Sequence, residues 1–146
     1  MRIAVGSDHA GFALKEHVRA KLAAAGHEVI DVGTTSGESV DYPGFAADAS
    51  RLVAGGEADR AVLACGSGNG VAIAANKVGG IRAVNAHDPH EAEMARRHND
   101  INVLTLSGSR LSPEQVDPIV DTFLMTEAEG GRHARRVGQI GDIERS

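Results

Sequence analysis

The chain has 146 residues, enough for one domain with its own core at ~150 residues per domain and too few for two. Hydrophobic residues make up 42% and charged residues 24%, which excludes global disorder; aromatics are only 3% and Trp is absent, so the core must be built from Ala, Val, Ile and Leu. Fifteen Lys plus Arg against 20 Asp plus Glu give a formal charge of -5, which argues against a nucleic-acid footprint spread over the whole chain.

The N-terminus, Met1 to Gly6, enters a strand pattern at once, without the apolar stretch and cleavage site of a secretion signal. A loop from Gly6 to Gly11 leads into a helical pattern through Phe12, Leu14, Val18 and Leu22, with Gly26 suited to end it. Val29 to Val32 reads as a second strand, closed by Gly33. A loop containing Asp41-Tyr42-Pro43 precedes an Ala-rich helix from Phe45 to Leu52. Ala61 to Cys65 is a third strand, Gly66 to Gly70 a glycine loop, and Val71 to Val78 a short helix. Ile81 to Val84 is a fourth strand. Pro89 suits the first turn of a helix running to about Arg97. Val103 to Leu106 is a fifth strand, and Ser112-Pro113 opens a helix through Leu124 as N-cap and first helical residue. After Gly130-Gly131 a polar helix, residues 131–144, completes the chain.

Strands alternating with helices predict βαβ units: one α/β domain over residues 1–146, a Rossmann-like three-layer sandwich with a five-stranded parallel sheet and a C-terminal helical arm. The arm carries only a thin apolar seam of Val137, Ile140 and Ile143. It either packs on its own domain or docks on a partner subunit. No run approaches the ~18 apolar residues of a membrane helix. Cys65 is the one cysteine, so no internal disulfide forms, which suits a reducing, cytoplasmic setting.

Ligands bind at the carboxyl ends of the strands in such sheets, which selects the loops Gly6–Gly11, Gly33–Pro43 and Gly66–Gly70. Gly66, Gly68 and Gly70 leave backbone N–H groups uncovered at a helix N-terminus: either a tight turn or a hole for an anion. The segment GSGNG has neither the G-x-G-x-x-G spacing of a dinucleotide site nor the adjacent Lys of a phosphate-binding Walker loop. Cys65 abuts this loop, as buried filler or as a thiol that feels the helix N-terminus. Asp8-His9 follows the first strand at the same edge. His98-Asn99 stands where the fourth helix ends. Arg132 and Arg136 share a helix face and repel by ~0.2–0.5 kcal/mol, with no acidic residue one turn away; a bound anion would relieve them. His87 and His90 read as surface, and no metal site is expected.

Together these segments resemble the type B ribose-5-phosphate isomerases, the family that also holds the galactose-6-phosphate isomerase subunits. The resemblance is carried by GSDHAGFALK (6–15), DYP (41–43), CGSGNGVAIAANK (65–77), GIRA (80–83), RRHNDINVL (96–104), GSR (108–110) and EGGRHARRV (129–137), in the family's order over nearly the whole chain. It implies a cofactor-free aldose–ketose isomerase acting on a phosphorylated sugar as a homodimer or tetramer. Cys65 would then move the proton between C1 and C2. The backbone of Gly66, Gly68, Asn69 and Gly70 would hold the enediolate oxygens, supported by Ser67. Asp8 and His98 would assist ring opening, Tyr42 and Asn99 would line the sugar, and His9, Arg110, Arg132 and Arg136 would hold the phosphate. His98, Asn99 and the arginines would come from the partner subunit. Relatives without the Cys use a Glu just after the glycine loop; here that position is Val71. The same chemistry on a tetrulose, allose or galactose phosphate, or a non-catalytic sugar-phosphate-binding module, stays open at this point.

Overall fold

The structure, a computed structural model, describes residues 1–146. Five strands and six helices follow one another in the expected order: β1 (Arg2–Ser7), α1 (Phe12–Ala24), β2 (Glu28–Asp31), α2 (Tyr42–Ala54), β3 (Arg60–Cys65), α3 (Asn69–Asn76), β4 (Ala83–Asn85), α4 (Pro89–Asn99), β5 (Val103–Ser107), α5 (Pro113–Met125) and α6 (Arg132–Glu144). All strand pairs are parallel, in the order β2-β1-β3-β5-β4. The Rossmann-like sandwich expected from the alternation is therefore present.

The sheet is covered on both faces, so its central strands are apolar throughout rather than alternating. Ile3, Val5, Val62, Leu104 and Leu106 point to one face, where α1 and α5 bring Leu14, Val18, Leu22, Ile119 and Phe123 and α4 brings Ala92 and Ala95. Ala4, Ala61, Leu63, Cys65 and Val103 point to the other, under Ala46 and Ala49 of α2 and Val71 and Ala75 of α3. No helix is long and apolar enough to cross a membrane.

Several boundaries differ from the sequence reading; α3, read from Val71 to Val78, runs from Asn69 to Asn76. Tyr42 and Pro43 belong to α2, not to the loop: Asp41 is extended at the N-cap, and a proline in the first turn has no N–H to waste. The fourth strand starts at Ala83, because Ile81 still closes a turn through its N–H to the Val78 carbonyl. The other caps behave as read. Gly26 takes φ +89° just past α1. Ser112 and Gln115 form a reciprocal capping box at α5, worth about 1 kcal/mol.

The last helix buries none of its residues fully. It leans on α4, and Ile140 and Ile143 stay 43% and 72% exposed beside Ile81 and Ile101. A single chain thus leaves the seam of its arm uncovered.

Candidate active site

The strand order reverses between β1 and β3, and the crevice beyond their carboxyl ends collects the first group of candidate residues. Asp8 and His9 follow β1, and Cys65 is the last residue of β3. Gly11 seats the first loop against the third strand: a Cβ there would meet the Ala64 backbone at 2.4 Å. Asp8 is buried and its Oδ1 accepts the Gly11 N–H at 3.0 Å, which fixes the carboxylate within the turn. His9 is exposed, and its Nδ1 accepts the Val40 N–H at 3.2 Å. A ring nitrogen that accepts carries no proton, so a neutral His9 bears its N–H on Nε2.

Cys65 is 4% exposed and sits under the glycine loop, with the Gly68 N–H donating to Sγ at 3.2 Å. It is thus closed to solvent within the apolar face under α2 and α3, with its sulfur facing a polar donor at the start of α3. Gly68 has φ +80°, and a Cβ on it would strike Asn85 at 2.2 Å, so only glycine fits there. Ser67 Oγ accepts the Asn69 N–H at 3.1 Å, leaving the hydroxyl proton free to donate outward. Asn85 Nδ2 donates to the Ser67 carbonyl at 3.0 Å and to Asn69 Oδ1 at 2.8 Å, which turns the Asn69 amide donors away from it. Gly70 packs against the Tyr42 ring, which is 37% exposed over the crevice. Arg110 is exposed on the β5–α5 loop, two residues past Gly108, whose N–H donates to the Cys65 carbonyl at 2.8 Å.

His98, Asn99, Arg132 and Arg136 are not in this group. Helix α4 runs back against the strands, so it ends at their amino edge. Arg82, just before β4, donates to the Asn99 carbonyl at 3.1 Å, whereas Asn85, at the end of β4, touches the glycine loop. The strand itself separates the two sets. At the amino edge His98 stacks on His133 with ring centroids 4.1 Å apart and planes 9° from parallel. Glu129 Oε2 lies 3.6 Å from His98 Nε2 and accepts the Arg97 Nε–H at 2.7 Å. Burial would push the Glu129 carboxyl up, but the hydrogen bond and charge of Arg97 outweigh it and hold it below the usual range. Burial, then the neighbouring His98 and Arg132, push His133 down. The ligand atoms of His98, Glu129 and His133 lie within 4.8 Å of one another. Parallel stacked rings send their lone pairs side by side, not to one centre, so this is a stack with an ion pair rather than a metal cage. Arg132 and Arg136 are exposed, and the ion pairs of this region use Arg97 and Arg145 instead.

Several residues that shape the site were not singled out from sequence. Lys15 is buried and donates to Asp31 Oδ2 at 2.8 Å and the Thr34 carbonyl at 2.7 Å, pinning the start of the 33–41 segment. Thr105 and Ser107, buried on β5, reach the glycine-loop carbonyls. A hydroxyl in an otherwise apolar buried strand is the signal that would have found them.

The ribose/galactose isomerase family model matches residues 3–140. Ribose-5-phosphate isomerase B of Escherichia coli is 48% identical over 98% of this chain and 96% of its own. The structure of Clostridium thermocellum ribose-5-phosphate isomerase B superposes with a TM-score of 0.98 at 48% identity, covering 99% of this chain and 98% of that one. The Mycoplasma genitalium enzyme with bound ribulose 5-phosphate superposes with a TM-score of 0.94 at 36% identity, covering 99% and 97%. A strand-end cysteine under a glycine turn, shared fold and near-complete coverage lead to one assignment: the chain belongs to the ribose/galactose isomerase family.

Proposed function

We propose that the protein is an aldose–ketose isomerase that interconverts ribose 5-phosphate and ribulose 5-phosphate by proton transfer through an enediolate. The observation that carries this reading is Cys65 Sγ held by the Gly68 N–H at the start of α3, at the carboxyl edge of the sheet, in a chain that shares its fold with a relative holding ribulose 5-phosphate. Proton abstraction next to a carbonyl needs a base and a stabiliser for the oxyanion that forms. The Cys65 thiolate takes the proton from C2 of the open aldose. The electrons move onto the carbonyl oxygen, and the resulting enediolate faces the Ser67 hydroxyl and the loop N–H groups. The Cys65 thiol returns the proton to C1 while a hydroxyl proton passes between O2 and O1, which leaves the ketose and the thiolate.

Asp8 and His98 open the sugar ring, Tyr42 and Asn99 flank its hydroxyls, and His9, Arg110, Arg132 and Arg136 hold the phosphate. The two sets of residues lie at opposite ends of β4, so a working site combines the crevice of one chain with the amino edge of another. The uncovered Ile140 and Ile143 support a homodimer with two such sites, alone or paired into a tetramer. We place the enzyme in the cytoplasm, where a single reduced thiol persists. The deciding experiment is conversion of ribose 5-phosphate to ribulose 5-phosphate by purified protein in EDTA, with four-, five- and six-carbon sugar phosphates compared by kcat/KM. Turnover of ribose 5-phosphate above the others supports the reading; binding without exchange of the C2 hydrogen replaces it with a binding module.

A further inference from the structure

Three consecutive peptide units of the glycine loop have their carbonyls tied down by side chains of the two strands beside it. The Gly66 carbonyl accepts the hydroxyls of Ser107 and Ser109, both at 2.7 Å, and the Ser109 N–H at 3.0 Å. Asn85 Nδ2 holds the Ser67 carbonyl at 3.0 Å, and the Thr105 hydroxyl holds the Gly68 carbonyl at 2.8 Å. A trans peptide is planar with C=O and N–H pointing opposite ways. Fixing each carbonyl toward the strands therefore sends the next N–H toward the crevice side. The Gly68 N–H reaches Cys65 Sγ, the Asn69 N–H reaches Ser67 Oγ, and the Ser67 N–H finds no acceptor in the protein.

Thr105 and Ser107 are fully buried, on strands whose neighbours are Val103, Leu104 and Leu106. A hydroxyl there must find an acceptor, and the acceptor each finds is a loop carbonyl. Without them the Gly68 carbonyl loses its side-chain anchor and the Gly66 carbonyl keeps only Ser109, which leaves both peptides freer to turn a carbonyl, with its partial negative charge, toward the place where an enediolate forms.

We infer that Thr105 and Ser107 are positioning residues of the isomerase. By holding the Gly66 carbonyl, Ser107 aims the Ser67 N–H at the reacting oxygens; by holding the Gly68 carbonyl, Thr105 fixes the Asn69 N–H on Ser67 Oγ and so turns the Ser67 hydroxyl toward them; both act on the transition state through the backbone without touching substrate. This rests on the isomerase reading above.

The test compares Thr105→Val, Ser107→Ala and the hydroxyl-keeping Thr105→Ser and Ser107→Thr. Kinetics with ribose 5-phosphate are measured beside inhibition by two probes: a planar hydroxamate analogue of the enediolate and ribitol 5-phosphate, which has no carbonyl or enediolate oxygen. Direct loss of one oxyanion donor costs about 100- to 1000-fold, so misaiming donors through their peptides should lower kcat about 10- to 100-fold. Hydroxamate affinity should fall in step, while KM and ribitol 5-phosphate inhibition stay within about threefold. The hydroxyl-keeping variants should recover most of kcat. A scaffold role alone would weaken both probes together and lower thermal stability, and that result, or an unchanged kcat, overturns the inference. Should one apolar variant fail to fold, the Thr105 and Ser107 pairs decide independently. Wild-type protein inactive on every sugar phosphate would sink the isomerase reading itself, which distinguishes the two failures.

Discussion

The Gly68 N–H points at the Cys65 sulfur from 3.2 Å, across the turn that joins β3 to α3. The residue proposed to carry the proton and the loop proposed to meet the oxyanion are thereby one unit. Replacing the sulfur should remove the base and leave the loop: Cys65→Ala should lose the 100- to 10,000-fold that general base catalysis typically supplies, about 2.7–5.4 kcal/mol in barrier. Exchange of the C2 hydrogen with solvent, followed by NMR, reads the step directly. Exchange at the wild-type rate in the variant would transfer the proton to another group.

Because the crevice and the His98 edge lie at opposite ends of β4, two differently disabled chains should repair each other. Cys65→Ala and His98→Asn homodimers should each be inactive. After mixing and subunit exchange, half the dimers are hybrids and each hybrid holds one intact site, so about a quarter of wild-type activity should return. Assay of the mixture over time checks this. A mixture as inactive as its parents would mean that each chain builds its site alone.

Arg132 and Arg136 stand one helical turn apart, exposed, while the carboxylates of the region pair elsewhere. Arg136→Ala should lower kcat/KM for ribose 5-phosphate about 10- to 100-fold, the value of one charged hydrogen bond at ~1.5–3 kcal/mol. Activity toward unphosphorylated ribose should change little. An equal loss on both sugars would detach these arginines from the phosphate.

Glu16 titrates at about 2, held down first by the hydrogen bond from Arg19 and then by that from Lys15. Its ordinary value is 4.5, so the folded state holds the carboxylate more strongly than the unfolded one. Stability from this group is complete above about pH 4.5 and drains away as pH falls toward 2. The Tm of Glu16→Gln should lie below wild type at neutral pH and converge on it in acid. A gap that stays constant across the titration would assign the effect to packing.

Most of the fold was legible because short apolar runs such as Val29–Val32 and Ala61–Cys65 alternate with amphipathic stretches at regular spacing. The errors were local. Pro43 was read as a loop residue, although the same ring favours the first turn of a helix once Asp41 is extended before it. Cys65, the glycine loop and Asp8-His9 were found by their place at strand ends. Lys15, Asn85, Thr105 and Ser107 were not, because their importance lies in which backbone oxygen each meets, and that depends on strand order rather than on local sequence. Chain order alone puts β4 next to β3, while the sheet places β5 between them.

The contact of Gly11 with the Ala64 backbone leaves no room for so much as a methyl group between the first loop and the third strand. Together with the Gly108 N–H on the Cys65 carbonyl, it locks the chemical end of the site into one rigid block. On the proposed shared site, adaptation to a shorter or longer carbohydrate would then fall to the 33–41 segment and to the residues proposed to come from a second copy. Recognition of the sugar's length can drift through evolution while the proton-transfer apparatus stays as it is.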